Sequence, residues 1–361
     1  MDTTDPLIIF DDNGRCNHCK DAELLYINNR LLHDENYREN ELNKLINNIK
    51  VDSGKRKSKY DCIIGLSGGV DSSYTAYKVK ELGLNPLAVH FDNTWNSELA
   101  NNNIEILCDK LEIDLFTHVV DWDEFKDLQL SFLKAGTPDS EVPTDHAIVS
   151  LMHNQAHKWR TRYVLSGQNS ATESILPKSW STGQDDVRYM KSILKIFGTK
   201  KLLSTPYRIF LRQIFDRFYL IKIPFLNYID YDKNRAKQFL QDKIGWRDYG
   251  GKHSESLYTK IFQSYILPTK FGFDKRKAHL SSLIVAGQIS RDTALLELDK
   301  PIYDDMELRM DIEYLIRKFD IDATEFEAIM NGPKMKYQDY PNSYGVKIKN
   351  LVKKILKFMR A

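Results

Sequence analysis

The middle of the chain alternates between short apolar runs and longer stretches of helical period. Residues 61–66, with Ile63, Ile64 and Leu66 at their centre, read as a buried strand, and a helical pattern follows over 72–82, closed by Gly83. Residues 86–91 read as a second strand with a helix near 97–111, and 114–120 as a third with a helix over about 124–134. Thr144 is placed to cap a helix over 145–160, and 163–166 reads as a further short strand. Strands alternating with helices predict an α/β fold with a doubly wound parallel sheet, whose ligands sit beyond the carboxyl ends of the strands. Ahead of this block, 40–50 reads as a helix and 51–59 as a charged linker. Behind Ile175 the pattern gives way to a basic, aromatic stretch reaching about residue 233, which suits either a substrate-binding insertion or a helical layer on the core. From Arg235 it is helical. The expected organisation is a small Cys-containing N-terminal segment over 1–50, an α/β domain over 51–235 and a helical C-terminal domain over 236–361.

The first strand stops at Ser67-Gly68-Gly69, and Val70-Asp71-Ser72-Ser73 opens the helix. Glycines let the backbone approach an anion, and the free N–H groups of a helix start point at it. No G-x-x-x-x-G-K-[ST] is present, so no P-loop lysine reaches toward a γ-phosphate. Two later strand ends fall on the same edge of the sheet: His90-Phe91-Asp92-Asn93 and Gly167-Gln168-Asn169, the latter followed by Glu173. Two glycine-containing turns in the C-terminal half carry Lys252 with His253, and Lys275 with Arg276. They read either as anion sites or as wet surface.

Composition narrows the field. The chain has 361 residues and a formal net charge of +2, which gives no global electrostatic case for nucleic acid. Basic clusters at 55–59 and 347–357 fit a solvated linker and a solvated helix face. Four cysteines in a chain of this length make no disulfide framework. Cys16-Asn17-His18-Cys19 suits half of a four-cysteine zinc site, a redox pair or no special role, whereas Cys62 and Cys108 read as buried apolar fillers. The most apolar stretch, 209–231, is broken by Arg212, Asp216, Arg217 and Lys222, so no membrane span is expected and a cytoplasmic protein is the default.

The string Ser67-Gly68-Gly69-Val70-Asp71-Ser72-Ser73 resembles the PP-loop of ATP pyrophosphatases, a superfamily of adenine nucleotide alpha hydrolase-like fold. That resemblance implies ATP cleaved between its α- and β-phosphates, with pyrophosphate held by the loop and Mg²⁺ organised by Asp71. His90, Asp92 and Asn93 then become candidates for adenosine contact or plain loop caps. Gly167, Gln168 and Asn169 would border the phosphates, and Glu173 would hold Mg²⁺ or orient substrate.

Joined to Pro177-Lys178-Ser179-Trp180, Gly245-Trp246-Arg247-Asp248-Tyr249-Gly250-Gly251-Lys252-His253 and Lys270-Phe271-Gly272-Phe273-Asp274-Lys275-Arg276, the loop makes nearly the whole chain resemble the N-acetyl sugar amidotransferases. These are PP-loop enzymes of bacterial surface-polysaccharide and flagellin-sugar pathways. The resemblance implies conversion of an acetamido to an acetamidino group on an N-acetyl sugar or nucleotide sugar, using ATP and ammonia. Lys252, His253, Lys275 and Arg276 would neutralise phosphates. No cysteine stands in a glutaminase-like turn, so the resemblance implies separate glutaminase and cyclase-like subunits as ammonia-delivering partners. The family pattern also has a Cys-x-x-Cys pair before Met-Asp-Thr-Thr-Asp-Pro. The sequence begins at that Met1, which leaves Cys16 and Cys19 as half of an implied Zn²⁺ site. Two competing expectations are a tRNA-modifying PP-loop ATPase and a nucleotide-binding regulator without turnover.

Overall fold

Five parallel strands carry the fold in a computed structural model that describes residues 1–250 and 255–343. Strands β1 (Cys62–Gly65), β2 (Pro86–Asp92), β3 (Asp114–Val119), β4 (Tyr163–Ser166) and β5 (Ile221–Pro224) lie in the order β3-β2-β1-β4-β5. In register, Ile63 stands opposite Leu87 on one side and Val164 on the other, and Val164 stands opposite Lys222. The chain steps outward from β1 to β2 and β3, then returns past β1 to β4. Loops leaving β1 and β4 therefore diverge, which opens a crevice at their carboxyl ends.

Helices α1 (Asn17–Asn28) and α2 (Glu35–Arg56) precede the sheet. The first four strands are joined by α3 (Val70–Glu81), α4 (Glu98–Leu111), α5 (Trp122–Lys134) and α6 (Val142–Lys158). Between β4 and β5 come α7 (Ser170–Glu173), α8 (Val187–Phe197) and α9 (Phe210–Tyr219). The C-terminal region follows as α10 (Lys233–Ile244), α11 (Leu257–Ile261), a π-helical stretch (Phe262–Phe271), α12 (Arg276–Val285), α13 (Arg291–Leu298), α14 (Asp305–Phe319) and α15 (Ala323–Asn331).

Period-two burial on β1 builds both core layers. Cys62 and Ile64 face Ile49, Ala76, Val79, Leu107 and Leu240, drawn from α2, α3, α4 and α10. Ile63 faces the other way, onto Phe125 of α5 and Ala147 and Leu151 of α6. A strand apolar on both faces is what a sheet covered by helices requires, and each fully buried side chain of this size stabilises by roughly 1.5–3 kcal/mol. Helix α6 packs so close that a Cβ on Gly65 would lie 2.9 Å from Met152 Sδ. Cys62 and Cys108 are buried fillers as expected.

Three sequence expectations need correction. The expected linker over 51–59 is mostly helix: α2 continues to Arg56 because Ile49 and Ser53 are buried against the core, and it stops where Lys57 takes φ 51°. Thr144 is inside α6, which starts at Val142 with Pro143 in its first turn. The aromatic stretch supplies a fifth strand, β5, as well as helices.

Candidate active site

The crevice between β1 and β4 is shaped by the loop after β1. Leu66 stays in the sheet, its N–H on the Val89 carbonyl at 3.0 Å and its carbonyl accepting from His90 Nδ1 at 2.8 Å. The chain then turns through Gly68 at φ +81° and enters α3 with Gly69 as its cap, which has no side chain to satisfy the helix start. The turn is packed from outside: a Cβ on Gly68 would lie 2.4 Å from the Ala100 carbonyl oxygen. Its inner face is set by hydroxyls. Ser72 Oγ accepts from the Ser67 N–H at 3.2 Å and donates to the Gly69 carbonyl at 3.1 Å, and the Gly69 N–H reaches Ser67 Oγ at 3.3 Å. The result is a concave ring of N–H and O–H groups at a helix N-terminus, suited to a phosphate.

A cleft of ≈ 210 Å³ opens over this ring, lined by Ser67, Gly69, Val70, Asp71, Ser72, Gly167, Gln168, Glu173, Lys233, Lys237, Asp248, Tyr249 and Glu255. The first eight were expected from sequence. Gly167 has to be glycine here, since a Cβ would stand 2.8 Å from the Asp71 carbonyl carbon. Asn169 stands just behind, capping α7 through the Thr172 N–H at 2.9 Å. Ser73 is fully buried on the core side of α3.

The C-terminal region closes the cleft. Trp246, itself buried, donates from Nε1 to the Gly68 carbonyl at 2.9 Å. Asn103 of α4 holds the next residue through both backbone groups of Arg247, at 2.8 and 2.9 Å. Tyr249 accepts from the Val70 N–H, and burial, then Glu255 and Asp71, push its hydroxyl well above the usual tyrosine range. The Tyr231 hydroxyl donates to Asp71 Oδ1, and burial, then the Asp71 charge, raise it too. Both phenols stay protonated and serve as hydrogen-bonding walls. Lys237 is paired with Asp248 at 2.6 Å.

Behind Glu173 lies a second acidic group. Burial pushes Asp139 up to about 6 against the opposing pull of Lys275. Asp145 is raised well above its ordinary value, by burial and then by Asp139 and Glu141, and it also feels Lys275 and Glu173.

Other candidates sit elsewhere. His90 is buried under the loop, held by the Leu66 carbonyl and by Asn96 at 3.0 Å, and burial lowers its pKa. It is a neutral prop for the turn. Asp92 caps the Thr94 N–H at 2.7 Å and Asn93 the Trp95 N–H at 3.3 Å, so both follow the loop-cap alternative. Arg276 departs most from expectation: its guanidinium is taken by Asp274 at 2.9 Å and by the carbonyls of Glu297, Leu298 and Lys300 at the end of α13, away from the Ser67 ring. Lys252 and His253 lie outside the described residues, as does the basic cluster at 347–357.

Two metals were implied. For Mg²⁺, Asp71 and Glu173 face the cleft together. Such a pair fits an ion that takes one or two carboxylates and completes its shell with phosphate and water. For Zn²⁺ the fit fails. Cys16 and Cys19 come within 3.4 Å, but Cys16 Sγ caps α1, and no group of three His, Cys, Asp or Glu gathers for a metal among the described residues.

With this geometry in place, residues 255–356 match the LPS biosynthesis protein WbpG-like, C-terminal domain. The C-terminal part of the chain is thus similar to that WbpG-like domain, and the seven residues after β1 resemble a PP-loop. It is 25% identical over 277 residues to an uncharacterized protein of Methanocaldococcus jannaschii, covering 74% of this chain and 83% of that one. Over 122 residues it is 29% identical to the tRNA-specific 2-thiouridylase MnmA 2 of Fusobacterium nucleatum subsp. nucleatum, covering 31% and 34%. Among solved structures, the NH3-dependent NAD synthetase from Campylobacter jejuni aligns with 84% of this chain and 99% of its own, at a TM-score of 0.38 and 15% identity. Sequence reading overlooked Tyr231, Lys233, Lys237, Asp248, Tyr249 and Glu255 as cleft residues. Lys233 and Lys237 carried a usable signal, since i,i+4 spacing on α10 places both on one helix face.

Proposed function

We propose that this PP-loop protein is an ATP-dependent amidotransferase that converts the acetamido group of an N-acetyl sugar, free or nucleotide-linked, to an acetamidino group. One observation carries the reading: the Gly-Trp-x-x-Tyr segment is hydrogen-bonded onto the phosphate-binding turn through Trp246 and Tyr249, so the two motifs share one cleft. An amide oxygen is a poor leaving group. Attack of that oxygen on the ATP α-phosphorus forms an O–P bond and breaks the bond to the β-phosphate, giving an imidate-linked AMP and pyrophosphate. Ammonia then adds to the imidate carbon. The C–O bond breaks, AMP leaves with the oxygen, and loss of a proton leaves the amidine.

The residues divide this work by position. The N–H groups of the Gly68–Gly69 turn and the Ser67 and Ser72 hydroxyls face the departing pyrophosphate. Asp71 and Glu173 would hold Mg²⁺, whose charge offsets that of the phosphates. Lys233 adds positive charge along the cleft wall. Ammonia is supplied by separate glutaminase and cyclase-like subunits in this reading. The test is mass spectrometry of candidate nucleotide sugars incubated with the protein, ATP, Mg²⁺ and ammonium. A product lighter by the difference between O and NH, formed together with AMP and pyrophosphate, is expected. ADP formation, or AMP formation that no sugar stimulates, would refute it.

A second reading rests on the likeness to the tRNA-specific 2-thiouridylase. It predicts RNA binding with steep salt dependence, which gel shifts between low and physiological salt would reveal.

A further inference from the structure

Helix α9 is built inside out. Its Asp216 is buried and faces α6, where His153 Nδ1 and His157 Nε2 meet the two carboxylate oxygens at 2.8 and 2.7 Å. Arg208 closes the group from the preceding loop, 3.5 Å from Asp216 and 2.9 Å from Asp185. Gln213 donates to the Asp185 carbonyl at 2.7 Å. These ties fix the rotation of the helix with its polar side inward. The side turned to water carries Leu211, Ile214, Phe215 and Phe218, which are 73%, 37%, 52% and 82% exposed. They stand at i, i+3, i+4 and i+7, one continuous stripe, and exposed Ile209 extends it toward the helix start. Arg212 and Arg217 accompany the stripe.

A monomer has no reason to present such a stripe to water, and the charges select what covers it. A second copy laid antiparallel would bring Arg212 and Arg217 of one helix against the same arginines of the other. The C-terminal segment 344–361 is itself rich in lysine, so it also meets like charge. The occupant therefore presents apolar matter behind negative charge. Leu and Phe ends that project from one helix face fit a surface that deforms around them. We propose that α9 docks this protein on an anionic lipid bilayer, lying in the interface with its apolar stripe among the acyl chains and its arginines at the headgroups. Among the described residues no helix is long and apolar enough to cross a membrane.

Flotation of the full chain with phosphatidylglycerol–phosphatidylcholine vesicles tests this, with pure phosphatidylcholine as the comparison. Binding should appear with the anionic vesicles and weaken with salt. Leu211→Asp with Phe218→Asp should weaken it by at least about tenfold, the scale of losing two inserted apolar side chains. Arg217→Gln should weaken it less. The free aspartate variant should keep the wild-type melting temperature and its pyrophosphate release. Equal binding to both vesicle types, or none to either, overturns the proposal. So does a wild-type dimer that the aspartate variant dissolves, which assigns the stripe to a second copy. A lower melting temperature of the variant without lipid also overturns it, because the stripe would then be packed within the chain. An acidic protein partner that displaces the vesicles, and whose own binding is insensitive to lipid, points to that class instead.

Discussion

Gly68 shows how much one hydrogen atom in place of a methyl decides. Alanine there would have to hold φ near +81° and find room 2.4 Å from the Ala100 carbonyl oxygen, so Gly68→Ala should cost roughly 2–4 kcal/mol by urea unfolding. Gly245 also has a positive φ, at +72°, but nothing lies within 4 Å of its absent Cβ, and Gly245→Ala should cost only about 1–2 kcal/mol. Equal losses would mean that the turn is not wedged by α4. Asp71→Asn keeps the shape of the side chain and its contact with Tyr231 but removes the charge. It should lower kcat/KM for pyrophosphate release by about a hundredfold or more while leaving the unfolding midpoint nearly unchanged. Arg276→Ala should do the reverse. Its guanidinium satisfies carbonyls at the end of α13, so about 1–2 kcal/mol of stability should be lost with activity intact. Sequence placed Arg276 among the phosphates because a cation beyond a glycine turn looks the same whether it meets a ligand or a helix end. Which carbonyls stand nearby is a tertiary fact.

Among the elements, strands β1, β2 and β4 were legible as dense apolar runs stopped by a turn residue, and edge strand β3 by Leu115, Phe116 and Val119 within a short run. Strand β5 was not. It is an edge strand of four residues, with Lys222 at its second position and alternate residues turned to water, so it offers no apolar run. Helix α9 misleads for a related reason: its apolar period predicts burial of the face that is in fact exposed, and the polar ties beneath it are long-range. Those ties have a pH signature. Burial lowers His153 to about 4 from 6.5, so the folded state resists a proton that the unfolded chain accepts. The His153 contribution to stability is therefore complete above pH 6.5 and is lost as pH falls toward about 4. Asp139, raised to about 6, pulls the other way over part of this window, but it does so equally in any chain that retains it. The comparison to make is wild type against His153→Gln. The variant should be the less stable at pH 7, and the gap between their urea midpoints should narrow steadily down to pH 4. A constant gap would mean that folding leaves the proton affinity of His153 unchanged, and a gap that widens toward low pH would mean that the histidine is charged in the folded protein.

At the scale of the molecule, the phosphate-binding turn and its place at the strand reversal were readable from seven residues and the order of strands. The closure of the cleft was not, because the contacts joining the turn and α4 to the segment after α10 span 144 to 178 residues. Residues 1–5 are tied to the later part of the chain in the same way. The amino group of Met1 reaches Ser281 Oγ at 3.1 Å, Asp2 pairs with Lys277, and buried Asp5 accepts from Ser179 at 2.7 Å. Such long-range ties have a consequence for how the protein is made. The bond from Trp246 to Gly68 spans 178 residues, so a ribosome moving at about 5–20 residues per second needs on the order of 10–30 seconds to supply the second half of the cleft. During that interval the residues that shape the turn, His90, Ala100 and Gly167, are made before the wall above it. The cleft over the turn is complete only when translation has passed the tryptophan.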